Sequence, residues 1–288
     1  MCRLFGFRSV IQSQVHRSLV AAENALAVQS QRHPDGWGVA YYLADNPHII
    51  KSASAAIEDQ IFKRISGVVA SETVLAHLRK ATTGEINILN SHPFQFGRWV
   101  FAHNGQIHNF GEIKDAMRAQ IAPNLRRFIL GDTDSETFFY LFLTRLSRLT
   151  DIHRAGTPIE TVVQALVEAV ATTRELADGD TEEEKSMLTV VVTDGRTMVA
   201  LRSRKPLLYS TYKTRCLDRD TCPFIKPACE APTESGQVNH FIVSSERLQG
   251  DNVWIDLQDN EIVGVDWRMT LYRGAYHGRE AYIGGIPG

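Results

Sequence analysis

The chain opens Met1-Cys2-Arg3-Leu4-Phe5-Gly6-Phe7, with a cysteine directly behind the initiator methionine. Loss of Met1 would leave a thiol and a free α-amine on one residue. A thiol needs a base to become a nucleophile, and an N-terminal amine can be that base. With an ordinary pKa of about 7.7–8.0, an appreciable fraction of it is neutral near neutral pH. A cysteine at position 2 also arises by chance, so its chemistry depends on what the rest of the chain supplies.

Four segments could complete such a site. In His77-Leu78-Arg79-Lys80-Ala81-Thr82-Thr83-Gly84 an apolar run ends in a small-residue loop. Arg79 could offer a planar fork to a carboxylate there, and a strand end with a surface arginine explains the same residues. In Phe101-Ala102-His103-Asn104-Gly105-Gln106-Ile107, Asn-Gly is usually a turn. It could also set an amide side chain beside a backbone N–H, a pair suited to an oxyanion. Gly131-Asp132-Thr133-Asp134-Ser135-Glu136 has the composition of a helix cap, or directs a carboxylate at a substrate ammonium. His33-Pro34-Asp35-Gly36-Trp37-Gly38 is a turn before a strand, or a pocket loop with Asp35 or Trp37 facing a ligand.

The elements that must position these groups show in the apolar pattern. Residues 3–7 form a short buried strand, followed by a helical face of Val15, Leu19, Ala22, Leu26 and Ala27. Strands are expected at 37–43, near 74–78 and at 99–103, with a helix marked by Ile57, Ile61, Phe62 and Ile65. From Thr133 the period turns helical through Phe138, Phe139, Leu141, Phe142 and Leu146. A second long helix starts with Thr157 as cap and Pro158 at its first position, burying Val162, Val163, Leu166, Val167 and Val170. The acidic stretch 178–185 is a solvated loop. Strands follow at 188–193, 198–202, 240–244, 253–256, 261–265 and 269–272, and the tail 284–288 is expected to be disordered. The order of elements gives an α+β domain with antiparallel sheets between helices.

The 288 residues, 43% hydrophobic, suffice for one large domain. A formal net charge of -2 implies neither nucleic acid nor an anionic membrane as partner. No apolar run approaches the roughly 20 residues of a spanning helix, and no signal peptide is evident. Four cysteines do not make a disulfide framework, which points to the cytoplasm.

Taken together, Cys2 after Met1, Arg79 and Thr82 in RKATTG, residues 90–93 (NSHP), Asn104-Gly105 in HNG and residues 133–136 (TDSE) stand in one order at plausible separations. In these motifs the chain resembles the class II glutamine amidotransferases, which are N-terminal-nucleophile hydrolases. CRLFGF, DGWG and the late Phe241-Ile242-Val243-Ser244-Ser245-Glu246 are similar to a stand-alone subgroup. It includes the ergothioneine-pathway γ-glutamyl hydrolase and a glutaminase-like subunit of a glutathione-degrading complex. The resemblance covers nearly the whole chain, residues 2–288, apart from an excursion at 211–237.

The resemblance implies a four-layer αββα fold and hydrolysis of a γ-glutamyl amide through a cysteine thioester. Cys2 would be nucleophile, its freed amine base, and the Asn104 side chain with the Gly105 N–H the oxyanion hole. Arg79 would bind the α-carboxylate and Asp134 the α-ammonium of a small γ-glutamyl substrate. Thr82, His103, Asp35 and Trp37 would line the pocket. No cofactor or metal is implied. Lys80 stands where many synthase-linked members carry tryptophan, and Thr83 where they carry histidine, leaving glutamine and other γ-glutamyl amides open. The absence of a phosphate-binding GxxxxGK[ST] loop implies outright hydrolysis, or a partner subunit that accepts ammonia. A catalytically silent glutamyl-binding subunit is the rival reading, and retention of Met1 would favour it. Oligomeric state is left open.

Other signals are weaker. Cys216, Cys222 and Cys229, with His240 downstream, are spaced too widely for a typical zinc site. His77, His92, His103 and His108 are expected to be tied into hydrogen-bond networks at strand ends. The 211–237 excursion is expected to shape the leaving-group side of the pocket.

Overall fold

The computed structural model describes residues 2–15, 17–22, 24–217 and 219–285. In chain order its strands are β1 (Arg3–Gln14), β2 (Trp37–Leu43), β3 (Asn46–Ser52), β4 (Ala70–Leu78), β5 (Phe94–Phe96), β6 (Trp99–Gln106) and β7 (Met187–Thr193). They continue with β8 (Met198–Leu201), β9 (Leu208–Ser210), β10 (His240–Ser244), β11 (Ile255–Asp256), β12 (Glu261–Val265), β13 (Leu271–His277) and β14 (Glu280–Gly285). The α-helices are α1 (Leu26–Gln29), α2 (Gln60–Val68), α3 (Phe110–Ala119), α4 (Pro123–Arg126), α5 (Asp134–Leu146) and α6 (Ile159–Ala177).

These strands form two seven-stranded sheets among the described residues, ordered β11-β9-β10-β1-β4-β2-β3 and β14-β13-β12-β8-β7-β6-β5, with antiparallel pairing throughout. Alternation along the central strands sets the layers, because successive side chains leave a strand on opposite faces. Val190 and Val192 pack under α5 and α6, whereas Val191 meets Leu4, Ala40 and Leu75 between the sheets. Phe5, Phe7, Val74 and Ala76 point the other way, into a third apolar cluster with Leu19, Leu26 and Phe62. Three buried apolar layers therefore separate four structural ones: helices, sheet, sheet, helices. Both faces of the central strands are covered, which explains why they read as continuous apolar runs rather than alternating ones.

Most expected elements are present, with three instructive differences. β1 extends to Gln14, and the helical face after it is split between a π-helical turn at Arg17–Ala21 and α1. Thr157 does not cap α6; Pro158 does. Thr157 is instead buried, its N–H donating to the Asp194 carboxylate at 3.0 Å and its carbonyl accepting from the Thr197 hydroxyl at 2.8 Å. In the expected disordered tail, Gly284 and Gly285 belong to β14, and residues 286–288 lie outside the described ones. No helix among the described residues is long and apolar enough to cross a membrane.

Candidate active site

Cys2 stands one residue before β1, beside the end of β4. Arg3 pairs with Leu78 across these strands, which brings Cys2 against the chain leaving β4. Its Sγ lies 3.4 Å from the Lys80 N and 3.5 Å from the Lys80 carbonyl O. The other neighbour, β10, fixes the same end. Ser245 Oγ accepts from the Leu4 N–H at 2.9 Å, the Ser245 N–H donates to the Leu4 carbonyl at 3.1 Å, and Glu246 pairs with Arg3. The late Ser-Ser-Glu motif thus holds the start of β1 in place.

Cys2 is half-buried, and desolvation raises its thiol pKa against the lowering influence of the Lys80 backbone and the Arg79 guanidinium. Asp134 also acts on the sulfur, raising the pKa further. Such a thiol is protonated at neutral pH and needs a proton acceptor before it attacks. Met1, whose removal would free one, lies outside the described residues.

Arg79 is buried, and its guanidinium donates to the carbonyls of Glu85 at 2.8 Å, Thr83 at 2.9 Å and Gly84 at 3.3 Å. It makes no ion pair among the described residues. A guanidinium has five N–H donors, so some remain for a ligand carboxylate. The loop it gathers is pinned at both ends. The Asp35 carboxylate accepts from the Ala81 N–H at 2.8 Å. Asn90 Nδ2 donates to the Glu85 carbonyl at 3.0 Å and to the Asp132 carboxylate at 2.6 Å, and the Asp132 N–H returns to Asn90 Oδ1 at 3.1 Å. Gly84 sits in this loop at φ +76°, where a Cβ would come within 2.5 Å of Asp132 Oδ1, so a side chain is excluded by both backbone and space. Thr82 is exposed on the same loop.

Asp134 is the first residue of α5, whose cap is Thr133: the Thr133 hydroxyl accepts from the Glu136 N–H at 3.2 Å. The buried Asp134 carboxylate accepts the Ile107 and Ser135 N–H groups, each at 2.8 Å, and the Ser135 hydroxyl at 3.2 Å. These contacts tie it to the end of β6. Arg79 and Asp134 both act electrostatically on the Cys2 sulfur, one from each sign of charge.

Asn104 and Gly105 lie near that end of β6. Beyond Phe101 the edge of β6 away from β7 has no strand partner among the described residues, since β5 pairs only Phe94–Phe96. Asn104 is buried, its Oδ1 has no partner, and its Nδ2 makes no hydrogen bond among the described residues, leaving the amide free to meet a ligand. Gly105 is required sterically as well: a Cβ there would fall 1.8 Å from the Met187 carbonyl O and 2.6 Å from His103 Nε2. Gly105→Ala should therefore cost about 2–3 kcal/mol of stability, in line with overpacking elsewhere. Urea unfolding checks this, and an unchanged midpoint would show that β6 and β7 separate freely.

Two expected pocket residues lie elsewhere. Trp37 is fully buried in the outer apolar layer, its indole N–H donating to the Asp59 carboxylate at 3.0 Å and its ring meeting Phe62 edge-on at 5.0 Å. β2 turns it away because Leu78, its partner in β4, faces the same layer. His103 is also buried and stands behind Asp134 rather than in the pocket. Its Nε2 donates to the Met187 carbonyl at 2.8 Å, and its Nδ1 lies 2.8 Å from the Ser135 hydroxyl.

His77 bridges the sheets, Nε2 donating to the His103 carbonyl at 3.1 Å, and its ring lies tilted by 33° against that of His92 with centroids 4.1 Å apart. Contrary to the expected network, His77 Nδ1 and both nitrogens of His92 have no partner among the described residues. Burial lowers the pKa of His77 to about 3 and of His240 to about 4, and also lowers those of His92 and His103. His77 and His240 are neutral in the folded protein across this range, whereas in the unfolded chain they take up protons near pH 6.5. Below that pH the unfolded state binds more protons, so their contribution is intact above about pH 6.5 and is lost on acidification. Each costs up to about 1.4 kcal/mol per pH unit. Urea midpoints should fall steeply between about pH 7 and pH 5; a flat or rising midpoint contradicts their neutral burial.

The 211–237 excursion does not border Cys2. It covers the outer face of β1 and β10 and encloses a cavity lined by Ser9, Cys216, Cys222, Cys229 and His240, with none of Cys2, Arg79, Asn104 or Asp134 in its wall. Among the described residues no three His, Cys, Asp or Glu side chains are placed to hold a metal ion.

A family model described as glutamine amidotransferases class-II matches residues 1–265. The chain is 30% identical over 238 residues to the probable glutamine amidotransferase DUG3 of Saccharomyces cerevisiae, a match covering 74% of this chain and 65% of the yeast protein, under two thirds of its length. It is 32% identical over 117 residues to the γ-glutamyl-hercynylcysteine sulfoxide hydrolase of Mycobacterium tuberculosis, covering 37% of this chain and 50% of the relative. The fold is similar, with a TM-score of 0.60 at 19% identity and full coverage of both chains, to a glutamine aminotransferase class-II domain protein from Silicibacter pomeroyi.

Proposed function

The chain belongs to the class II glutamine amidotransferases, and from that premise we propose that it hydrolyses the amide bond of a γ-glutamyl compound at Cys2. The observation that carries this reading is the placement of a buried guanidinium, Arg79, and a buried carboxylate, Asp134, within electrostatic reach of one sulfur. A free amino-acid head presents the complementary pair of charges. Arg79 takes its carboxylate and Asp134 its ammonium, and holding both ends sets the γ-carbonyl against Sγ at little further entropic cost.

Once Met1 is removed, the Cys2 α-amine accepts the thiol proton. The thiolate adds to the γ-carbonyl carbon, and the Asn104 amide with the Gly105 N–H takes the negative charge on oxygen. The tetrahedral adduct collapses, the C–N bond breaks, and the protonated amine returns its proton to the leaving ammonia or amine. Water then cleaves the thioester, releasing glutamate and restoring the thiol. The Lys80 backbone lies beside the sulfur and the residue is exposed. The mycobacterial relative, named for a γ-glutamyl conjugate, supports a substrate larger than glutamine.

The test is glutamate release by the processed protein from glutamine, glutathione and a panel of small γ-glutamyl amides. Release is expected from γ-glutamyl amides with a free head and not from their N-acetyl derivatives. No glutamate from any member, or equal release from the N-acetyl forms, overturns the reading.

A further inference from the structure

The cavity beneath the 211–237 excursion has the features of a ligand site and belongs to no part of the chemistry above. It occupies about 540 Å³, within the range of roughly 300–1,000 Å³ typical of small-molecule pockets. Its floor is the outer face of β1 and β10, carrying Phe7, Ile242 and His240. Along β1 its lining residue nearest to Cys2 is Phe7, five residues away, or roughly 17 Å at a strand's rise per residue.

Three observations show that the chain does not satisfy this cavity by itself. Its walls include Val10, Leu217, Phe224 and Ile225, all large apolar side chains that stay exposed instead of closing on one another. Clustered apolar exposure of this kind marks binding surfaces. Two lining residues carry buried polar atoms with no partner among the described residues, His240 Nε2 and Asn252 Oδ1. Native structures rarely leave such atoms unpaired. Lys213 lines the same space, acts electrostatically on His240, and its ammonium makes no ion pair among the described residues.

We infer that this cavity is a second binding site, for a small, largely aromatic carboxylic acid that also carries an N–H or O–H donor. The ring fills the space between Phe7, Ile242, Phe224 and Ile225. The carboxylate accepts from Lys213 and from His240, whose neutral imidazole supplies an N–H at Nε2. The ligand's own donor satisfies Asn252 Oδ1. Asp251, also in the wall, disfavours a second acid group, so a monocarboxylate fits better than a dicarboxylate. Cys216, Cys222 and Cys229 line the same cavity as free thiols, which gives the site a built-in reporter.

Calorimetric titration of the full chain with indole-3-acetate, and with benzoate as a probe lacking the donor, tests the assignment. Indole-3-acetate should bind once per chain, more tightly than benzoate, and slow the labelling of these thiols by a disulfide reagent. Lys213→Met should weaken binding at least about tenfold, with the unfolding midpoint confirming that the variant folds. Cys2→Ala should leave it unchanged, which separates this site from the proposed hydrolytic one. No saturable binding by either acid below about 1 mM overturns the inference. So does binding that Lys213→Met leaves intact, or that Cys2→Ala abolishes, or a stoichiometric zinc ion found on the thiols of the purified protein.

Discussion

Cys2→Ala is expected to reduce glutamate release by at least about a thousandfold, to the limit of detection, because it removes the only group in the proposed site able to form the thioester. Its effect on folding should be small. Cys2 precedes β1 and is half-buried, and its sulfur makes only long contacts to the Lys80 backbone. β1 itself is held by its pairing to β4 and β10 and by Ser245 and Glu246, none of which the substitution touches. Loss of activity with an unchanged urea midpoint is the expected pair of results. Turnover that survives at even a tenth of the original rate removes Cys2 from the mechanism.

Asp134→Asn should lower kcat/KM by about a hundredfold for substrates with a free α-ammonium, the cost expected when one member of a desolvated charge pair is neutralised. The substitution also perturbs the protein, because Asp134 accepts from the Ile107 and Ser135 N–H groups at once and an asparagine presents only one acceptor. A substrate that lacks the ammonium separates the two effects. With a γ-amide that carries the carboxylate but no amine, wild type and variant should differ little, since Asp134 then has no charge to balance. An equal loss on both substrates assigns Asp134 a purely structural role.

The sequence carries the layers unevenly. The α+β class follows from apolar runs of strand length alternating with helical periods, and α5 and α6 are legible because whole faces of them are apolar. The two-sheet stack is not legible locally. It depends on Val190 and Val191 belonging to different cores, a fact of register with no sequence signal once both faces are buried. Strands β3, β5, β9 and β14 escape the pattern for a related reason. β3 and β14 are sheet-edge strands with mostly exposed or half-exposed residues, and β5 and β9 are each three residues long.

The site divides in the same way. Cys2, Arg79 and Asp134 are conspicuous by type and position, and the fold gathers them. The residues that hold them are not conspicuous. Asp35 reads as a ligand-facing acid but secures the Arg79 loop through the Ala81 N–H. Asn90 and Asp132 clasp that loop across 42 positions of sequence, and Ser245 reaches Leu4 across 241. Trp37 looks like a pocket aromatic because its neighbours form a turn, yet strand alternation sends it to the far side of the sheet. No local pattern announces a contact that only tertiary structure creates.

Treatment with a chloroketone analogue of glutamine, followed by intact-mass and peptide analysis alongside residual activity, tests the proposed nucleophile most directly. The expected result is a single adduct on Cys2 of the chain lacking Met1, with activity falling in proportion to labelling and substrate protecting both. Full activity in protein fully labelled at Cys2, or inactivation that tracks an adduct on Cys216, Cys222 or Cys229, would contradict it.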